Sequence, residues 1–563
     1  MIEAPNASAS VVWASAVDGL CLEDEIGPTL DAKIFDSKGL RRPASRAISL
    51  DRSVFGRDRN CAVVAATTVG DAIRQFKAGA SAPLKARLLE LRLDFLSDRS
   101  ETARLLAWLA RQARKPTLIA TCRRVQAGGQ FKGSVAEEMA ILEQAVAAGC
   151  RWCDVEIETA EQVRADLLKI TLDPARILIS AHDFRRVPQS LPAVLRRLDA
   201  FGVDAVKIAA ACRSLADVRQ LLELTRGRRD VVTVPMGEDM LGPRIVALRQ
   251  GSALAYAPIS QSTAPGQIPF QELERVYRLR CRFGNSTTGP DSKTSLYAVI
   301  GSPVAHSLSP LMHNTAFATR QNNAVYVPFH VRDLRDFLAA IESFHIAGFS
   351  VTIPHKERIL RYLHHCDRLA AEIGAVNTVV VRNGKLYGYN TDFVGVLRAI
   401  ERRLPLASSS VLLLGAGGAA RAAAFALARA GSAVTIWARR HHRARALARS
   451  IGGETIDRGE IARRSFDAIV NCTPIGMHPR AGSPLESREL NCSLVMDVIY
   501  RPLKTELLRR AEGRGIETIS GLDMFVAQGV AQWKLWMGEA APERVMRRAV
   551  LEALQKEEKS KRP

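Results

Sequence analysis

Eight short apolar runs, at 61–67, 88–95, 117–122, 152–157, 176–180, 205–209, 231–235 and 253–259, alternate with stretches of helical spacing such as 101–114, 135–148 and 215–225. Runs this short read as strands. Their alternation with helical segments gives each strand a crossover to the next, which makes the strands parallel. Eight such units over about 220 residues predict a closed (β/α)8 barrel, at the small end of its usual size. In that architecture chemistry sits where strands end and loops begin.

Polar residues fall at those places. Glu90 and Arg92 interrupt the second run, Arg123 closes the third, Glu156 lies near the end of the fourth and His182 follows the fifth. Lys207 interrupts the sixth, Arg244 follows the seventh, and Thr263 and Gln267 lie on the loop after the eighth. A lysine among apolar neighbours is costly unless it is paired or neutral, and desolvation lowers its pKa. A neutral amine can attack a carbonyl to form a Schiff base. A histidine one strand earlier reaches the same chamber as general acid and base. Position alone leaves a second reading open, in which Lys207 forms a structural pair with a glutamate.

The motifs Glu-Leu-Arg-Leu-Asp-Phe-Leu at 90–96, Ser-Ala-His-Asp-Phe at 180–184, Val-Lys-Ile at 206–208 and Ala-Pro-Gly-Gln at 264–267 resemble type I 3-dehydroquinate dehydratase. The resemblance implies that Lys207 forms an imine with the substrate's C3 ketone. It further implies that His182 moves the C2 proton, that Arg244 and Gln267 bind the carboxylate, and that Glu90, Arg92, Arg123 and Thr263 surround the ring and the lysine. One departure matters: the family's glutamate that orients the histidine is here Ala127. An imidazole without it is expected to be less basic and less firmly held, and turnover correspondingly low.

At 563 residues the chain is too long for one hydrophobic core. The stretch 284–294 has almost nothing apolar and reads as a linker, after which a strand pattern restarts at 295. The run Val411-Leu-Leu-Leu-Gly-Ala-Gly-Gly-Ala-Ala-Arg421 carries a strand into a glycine-rich turn and then an Ala-rich helix. That arrangement brings backbone amides and a helix N-terminus to a pyrophosphate, with Gly415, Ala416, Gly417, Gly418 and Ala419 at the turn. The second strand of this unit ends in Ala438, Arg439 and Arg440, with Arg443 beyond, where NAD binders usually place an acid. Cationic side chains suit a 2′-phosphate, so NADP is the expected cofactor.

The flanking motifs are His306-Ser-Leu-Ser-Pro310, Val351-Thr-Ile-Pro-His-Lys-Glu357, Gly374-Ala-Val-Asn-Thr378, Asn390-Thr-Asp392, Asn471-Cys-Thr-Pro-Ile-Gly476, Asp497-Val-Ile-Tyr500 and Gly521-Leu-Asp-Met524 with Gln528. With the glycine turn they resemble shikimate dehydrogenase. The resemblance implies that Lys356 and Asp392 are the catalytic pair and that Ser307 and Ser309 bind the substrate carboxylate. Thr352, Asn377, Tyr500 and Gln528 would complete the substrate pocket, and Thr473 and Gly521 the cofactor site. Together the two resemblances imply a bifunctional 3-dehydroquinate dehydratase/shikimate dehydrogenase, with 3-dehydroquinate and 3-dehydroshikimate as its small-molecule substrates. The alternative is a quinate/shikimate dehydrogenase fused to a weakly active or sensor-like dehydroquinate-binding barrel.

The domain boundaries expected are an extension at 1–57, a barrel at 58–283, the linker at 284–294 and a dehydrogenase α/β substrate domain at 295–403, completed by 526–556. A Rossmann NADP domain occupies 404–525. Independent catalytic sites joined by the linker are expected, since the sequence shows no tunnel between them. The net charge of +21 is read as solvated arginine and anionic ligands rather than nucleic acid. No stretch has the roughly 18–20 apolar residues of a membrane span. Ten cysteines without repeated spacing exclude a zinc site and favour free thiols in a reducing compartment. Residues 1–57 lack a secretory or transit pattern. The cytoplasm is the expected location, with the plastid as alternative because plants carry the same fusion. Nothing in the sequence fixes an oligomeric state.

Overall fold

In the computed structural model the described residues are 54–55, 59–260, 265–279 and 290–560. The expectation for the N-terminal extension therefore lies, apart from 54–55, outside the described residues; so do Thr263 and the first part of the linker.

The eight runs form parallel strands β1 (Asn60–Val64), β2 (Leu88–Arg92), β3 (Thr117–Thr121), β4 (Trp152–Glu156), β5 (Arg176–Asp183), β6 (Ala205–Ala211), β7 (Val231–Met236) and β8 (Ala255–Pro258). They lie side by side in chain order, and β8 returns to pair with β1. The β7–β8 seam is held by Ala253 N donating to Val231 O at 2.8 Å and Thr233 N donating to Ser252 Oγ at 3.0 Å. The result is a (β/α)8 barrel.

Side chains two apart on a strand share one face, and this alternation builds the barrel interior in layers. Leu88, Ile119, Trp152, Leu178, Ala205, Val232 and Leu254 plug its lower end, with the Phe55 ring 4.2 Å from that of Trp152. Two residues onward on the same strands stand Glu90, Thr121, Asp154, Ser180 and Lys207, all buried. A further step of two brings Arg92, Arg123, Glu156 and His182. The apolar plug excludes water from below, so the polar layer can be reached only from the loop face.

The second half carries two sheets. Strands β9 (Ser295–Gly301), β10 (Ala324–His330), β11 (Ile346–Val351), β12 (His365–Cys366), β13 (Thr378–Arg382) and β14 (Lys385–Tyr389) lie in the order β10-β9-β11-β13-β14-β12. Strand β13 runs antiparallel to both of its neighbours. Strands β15 (Ser410–Leu414), β16 (Ala433–Trp437), β17 (Glu454–Thr455), β18 (Phe466–Asn471), β19 (Cys492–Asp497) and β20 (Glu517–Ile519) are all parallel, in the order β17-β16-β15-β18-β19-β20. Separate apolar clusters cover the two faces of this sheet, as a wholly parallel sheet requires. Helices Gly521–Met537 and Glu543–Ser560 then return to the first sheet, burying Val526, Trp533, Met546 and Val550 in its core. Among the described residues no helix is long and apolar enough to cross a membrane.

The barrel is docked on the second half of the chain. The helix Leu241–Arg249 of the barrel lies on β10. A Cβ on Gly242 would stand 2.1 Å from Pro328 O, so only glycine permits this approach. Arg249, at the end of that helix, donates to the carbonyls of Thr294 (2.6 Å), Ser292 (3.1 Å) and Phe344 (3.3 Å). Asp336 accepts the free amides of Leu215 and Ala216 (2.7 and 3.0 Å) at the start of the barrel helix Leu215–Glu223. One apolar core runs through both halves. Pairings of this kind depend on residues distant in sequence, so no linker composition announces them.

Candidate active sites

The polar layer of the barrel converges on Lys207. The residue is 4% exposed, and its ammonium is hydrogen-bonded to Asp154 and lies 4.9 Å from the centre of the Tyr256 ring. Burial pushes the ammonium's pKa down; Asp154 opposes the shift and Arg123 adds to it. Burial alone would raise Asp154, but Arg123 and Lys207 hold it well below the usual carboxylate range. Ser180 Oγ donates to Asp154 Oδ1 at 2.6 Å and Arg123 Nη2 donates to Oδ2 at 2.9 Å. The lysine thus has a structural partner and a desolvated amine at once.

His182 lies in the same chamber, held by Arg123, whose Nη1 is 2.9 Å from His182 Nδ1. A guanidinium can only donate, so Nδ1 accepts and the proton of the neutral ring sits on Nε2. Burial, then Arg123 and Lys207, push the imidazole well below its ordinary pKa. Ala127 lies buried in the 3₁₀ turn Val125–Ala127. Arg123 holds the ring from one side and, together with burial, lowers the basicity of the imidazole.

Arg244 donates through Nε to Pro235 O (3.0 Å) and through Nη2 to Pro265 O (2.9 Å), while its buried Nη1 has no hydrogen-bond partner among the described residues. Burial brings its pKa down to about 10. An incoming carboxylate would satisfy that orphaned donor. Gln267 lines the same cavity as Arg244 and Tyr256. Glu90 accepts from Thr121 Oγ1 at 2.8 Å. Arg92 is clamped to Asp94 through two bonds of 2.9 and 2.8 Å, so both of these residues are already engaged within the protein.

Asp154, Ser180 and Tyr256 did not stand out in the sequence. Asp154 carried the signal that singled out Lys207: a charge inside an apolar strand, on the same face as Glu156 two residues on. Glu156 is pushed up to about 8, chiefly by burial, with Arg123 opposing. Its folded-state value lies above the unfolded value of 4.5, so the folded chain holds the proton more tightly between the two. Its contribution to stability accordingly falls as pH rises from about 4.5 to about 8. Glu156→Gln is expected to gain stability relative to the parent across that window. Urea unfolding of both proteins at about pH 5 and about pH 8 checks this, and an equal difference at the two pH values would refute it.

In the second half Lys356 is bonded to Asp392 Oδ2. The other oxygen of Asp392 accepts from Asn377 Nδ2 at 2.8 Å, and Asn377 Oδ1 in turn accepts from Thr391 N and Thr378 Oγ1, both at 2.8 Å. Asn390 holds the start of the helix Asp392–Ile400 by accepting from the amides of Asp392 (3.1 Å) and Phe393 (3.3 Å). Ser307 Oγ accepts from Ser309 N at 3.2 Å, and Tyr500 Oη lies 3.5 Å from Leu308 N with its ring stacked 4.1 Å from Phe525. Gln528 is buried on the helix Gly521–Met537, beside Gly395 of the helix that Asp392 begins. Thr352 opens the turn that leads to Lys356.

The glycine turn follows β15. Gly415 has φ +113°, a conformation glycine adopts without strain, and the helix Gly418–Arg429 starts with no side-chain cap. Its first amides are thus open to phosphate, and space around Gly417 is free. A Cβ on Gly418 would stand 3.0 Å from Lys356 Cβ, so the turn lies against the stem of the lysine. Arg439 and Arg440 are exposed at the end of β16, and Arg443 lies 3.8 Å from Glu357. Thr473 follows β18 and is pinned to Asn471 Oδ1 through its hydroxyl at 2.7 Å. Gly521 is crowded by the backbone of Val498 and Ile499. These groups fit a dinucleotide bearing a 2′-phosphate.

The family described as Type I 3-dehydroquinase matches residues 60–283. The shikimate dehydrogenase substrate binding domain matches 299–379, and the shikimate 5′-dehydrogenase C-terminal domain matches 521–551. A bifunctional 3-dehydroquinate dehydratase/shikimate dehydrogenase, chloroplastic, from Arabidopsis thaliana is 34% identical over 512 residues, covering 86% of this chain and 83% of that one. A shikimate dehydrogenase (NADP(+)) from Moorella thermoacetica is 44% identical over 279 residues, covering 47% of this chain and 95% of its own. The crystal structure of shikimate dehydrogenase from Aquifex aeolicus is 36% identical, with a TM-score of 0.44, and covers 46% of this chain and 98% of that one. By its likeness to the Arabidopsis protein across both halves, the chain belongs to the bifunctional 3-dehydroquinate dehydratase/shikimate dehydrogenase family.

Proposed function

We propose that the barrel dehydrates 3-dehydroquinate to 3-dehydroshikimate through an imine on Lys207, and that the second half reduces 3-dehydroshikimate to shikimate with NADPH. The observation that carries the first step is the buried, pKa-lowered amine of Lys207 within a chamber that also holds His182. The amine attacks the C3 ketone and water leaves as the imine forms. The imine then withdraws electrons from C2, and His182 takes the C2 proton and returns it to the C1 hydroxyl, which departs as water. A second water hydrolyses the imine to release 3-dehydroshikimate and free Lys207. Arg244 and Gln267 bind the carboxylate, with Glu90, Arg92 and Arg123 supporting the ring and the lysine.

In the second half NADPH, when bound, supplies the hydride. Ser307 and Ser309 hold the substrate carboxylate, with Thr352, Asn377, Tyr500 and Gln528 around the ring. Lys356 stabilises and protonates the oxygen that becomes charged, and Asp392 orients the lysine. The glycine turn, Ala416, Ala419, Thr473 and Gly521 hold the dinucleotide; Arg439, Arg440 and Arg443 favour the 2′-phosphate. Eight free cysteines among the described residues fit a reducing compartment such as the cytoplasm. The similar Arabidopsis protein is named as chloroplastic.

A second reading is favoured by the bond between Arg123 and His182 Nδ1. With Nε2 protonated, the resting ring has no free lone pair for the C2 proton, so a barrel that binds dehydroquinate but turns it over slowly also fits. Purified protein fed dehydroquinate and NADPH, with dehydroshikimate and shikimate followed separately and a borohydride-quenched sample analysed for an adduct on Lys207, decides between them. Both products and the adduct are the expected result. An adduct without dehydroshikimate selects the binding-only barrel, and absence of both overturns the dehydratase reading.

A further inference from the structure

The loop 237–240 joins β7 to the helix that carries Arg244, so it belongs to the barrel's catalytic face. Asp239 on this loop reaches out of the barrel. Its Oδ1 is 2.6 Å from His330 Nδ1, at the end of β10 in the dehydrogenase half. On the far side of the ring, His330 Nε2 is 2.8 Å from Ser302 Oγ. A carboxylate only accepts, so His330 Nδ1–H donates to Asp239, while Nε2 pairs with the Ser302 hydroxyl. Three side chains thus form one hydrogen-bonded chain from a barrel loop to the turn after β9.

That turn is part of the dehydrogenase's substrate pocket. Ser302 N donates to Ile353 O at 2.9 Å, and a Cβ on Gly301 would stand 2.5 Å from Thr352 Cγ2, so the turns at 302–309 and 352–356 pack directly together. His355 Nε2 lies 2.6 Å from Val331 O, the residue next to His330. The segment 330–331 therefore stands behind both turns, the one bearing Ser307 and Ser309 and the one bearing Thr352 and Lys356. Among the described hydrogen bonds, His330 is the sole partner of the Ser302 hydroxyl. Gly242, three residues beyond Asp239, is locked against Pro328, so the loop cannot withdraw without breaking the docking of the halves.

We propose that Asp239, a residue of the barrel, is a positioning residue for the dehydrogenase: through His330 and Ser302 it sets the turn 302–309 and with it the affinity for the carboxylate of the hydroxy-acid substrate. This rests on the reading of Ser307 and Ser309 as the carboxylate seat. The dehydrogenase pocket is then complete only when the barrel is docked. Asp239 also takes a bond from Arg332 Nη2 at 3.3 Å, but that side chain is 78% exposed and leads to no substrate residue, which makes it the natural control.

The test uses the full chain in shikimate oxidation. Asp239→Ala is expected to raise KM for shikimate by about tenfold, the size of one lost charge-assisted hydrogen bond, with kcat and KM for NADP+ essentially unchanged. Asp239→Asn keeps an acceptor in place and is expected to restore most of the affinity. Arg332→Ala is expected to match the parent. Ser302→Ala combined with Asp239→Ala is expected to cost no more than either alone, because both break one chain. A parental KM for Asp239→Ala, an equal rise in Arg332→Ala, or a parallel fall of dehydratase turnover that reports a collapsed loop would each overturn the proposal. Ser307→Ala separates it from the reading beneath it. If Ser307→Ala raises KM and Asp239→Ala does not, only the role of Asp239 fails; if neither does, the carboxylate seat falls as well.

Discussion

Lys207→Met is expected to lower dehydratase turnover by more than about 10⁴-fold, because it removes the group proposed to make the covalent intermediate rather than one that assists it. Methionine nearly preserves the volume of the lysine stem but has no amine. Without an imine, the C2 proton of the substrate keeps the acidity of an ordinary position beside a ketone, and the buried, neutral His182 is a weak base. The substitution leaves Asp154 without one of its two cationic partners. Arg123 at 2.9 Å and the Ser180 hydroxyl at 2.6 Å remain, so the carboxylate keeps a charge and a donor to compensate it. The same chain supplies its own control for folding. NADP-dependent oxidation of shikimate should persist in the Lys207→Met protein, since Lys356 and the glycine turn lie in the other half. Rapid-quench measurement of dehydroshikimate, with mass spectrometry of a borohydride-treated sample, checks the loss. Substantial turnover without an adduct at position 207 would show that dehydration proceeds by proton transfer alone.

The (β/α)8 barrel was legible because its signal is local: each strand announces itself by an apolar run, and the polar residues at matching strand positions show where the chamber lies. Lys207 was visible because a lysine inside such a run is anomalous. Asp154 is equally anomalous, a charge inside the apolar run of β4. The role of Arg123 was harder to see. That its guanidinium spans Asp154, Ser180 and His182 follows from the curvature of the barrel, which brings residues of β4 and β5 to the end of β3. The glycine turn and the Lys356–Asp392 pair were legible for the same local reason, as motifs with fixed spacing. The docking of the halves was not. It depends on a glycine against a carbonyl, an arginine on three carbonyls and an aspartate on two helix amides, none of which has a periodicity or composition that marks an interface.

Lys356→Met is expected to reduce dehydrogenase kcat by about 10²–10⁴-fold, the usual contribution of a positioned acid–base group, while binding of NADP+ stays close to that of the parent. The ketone oxygen gains negative charge as reduction proceeds, and a donor fixed beforehand stabilises that charge without reorganising at the moment of reaction. The fixation is visible in the structure. Asp392 holds the ammonium with one oxygen, Asn377 holds the other at 2.8 Å, and Thr391 and Thr378 hold Asn377. The lysine stem lies against Gly418 of the glycine turn, which narrows the positions open to the ammonium. Asp392→Asn separates charge from shape. The amide can still touch both neighbours but no longer attracts an ammonium, and kcat is expected to fall by about 10²-fold. Because both substitutions act on a bond made most strongly in the transition state, the loss should appear in kcat, with a much smaller change in KM for shikimate. Steady-state oxidation of shikimate followed by NADPH absorbance, together with NADP+ titration by intrinsic fluorescence, distinguishes the two parameters. A Lys356→Met protein that kept the parental kcat would place the proton donor on another residue. One that lost NADP+ binding in proportion to rate would show instead that the lysine mainly braces the glycine turn.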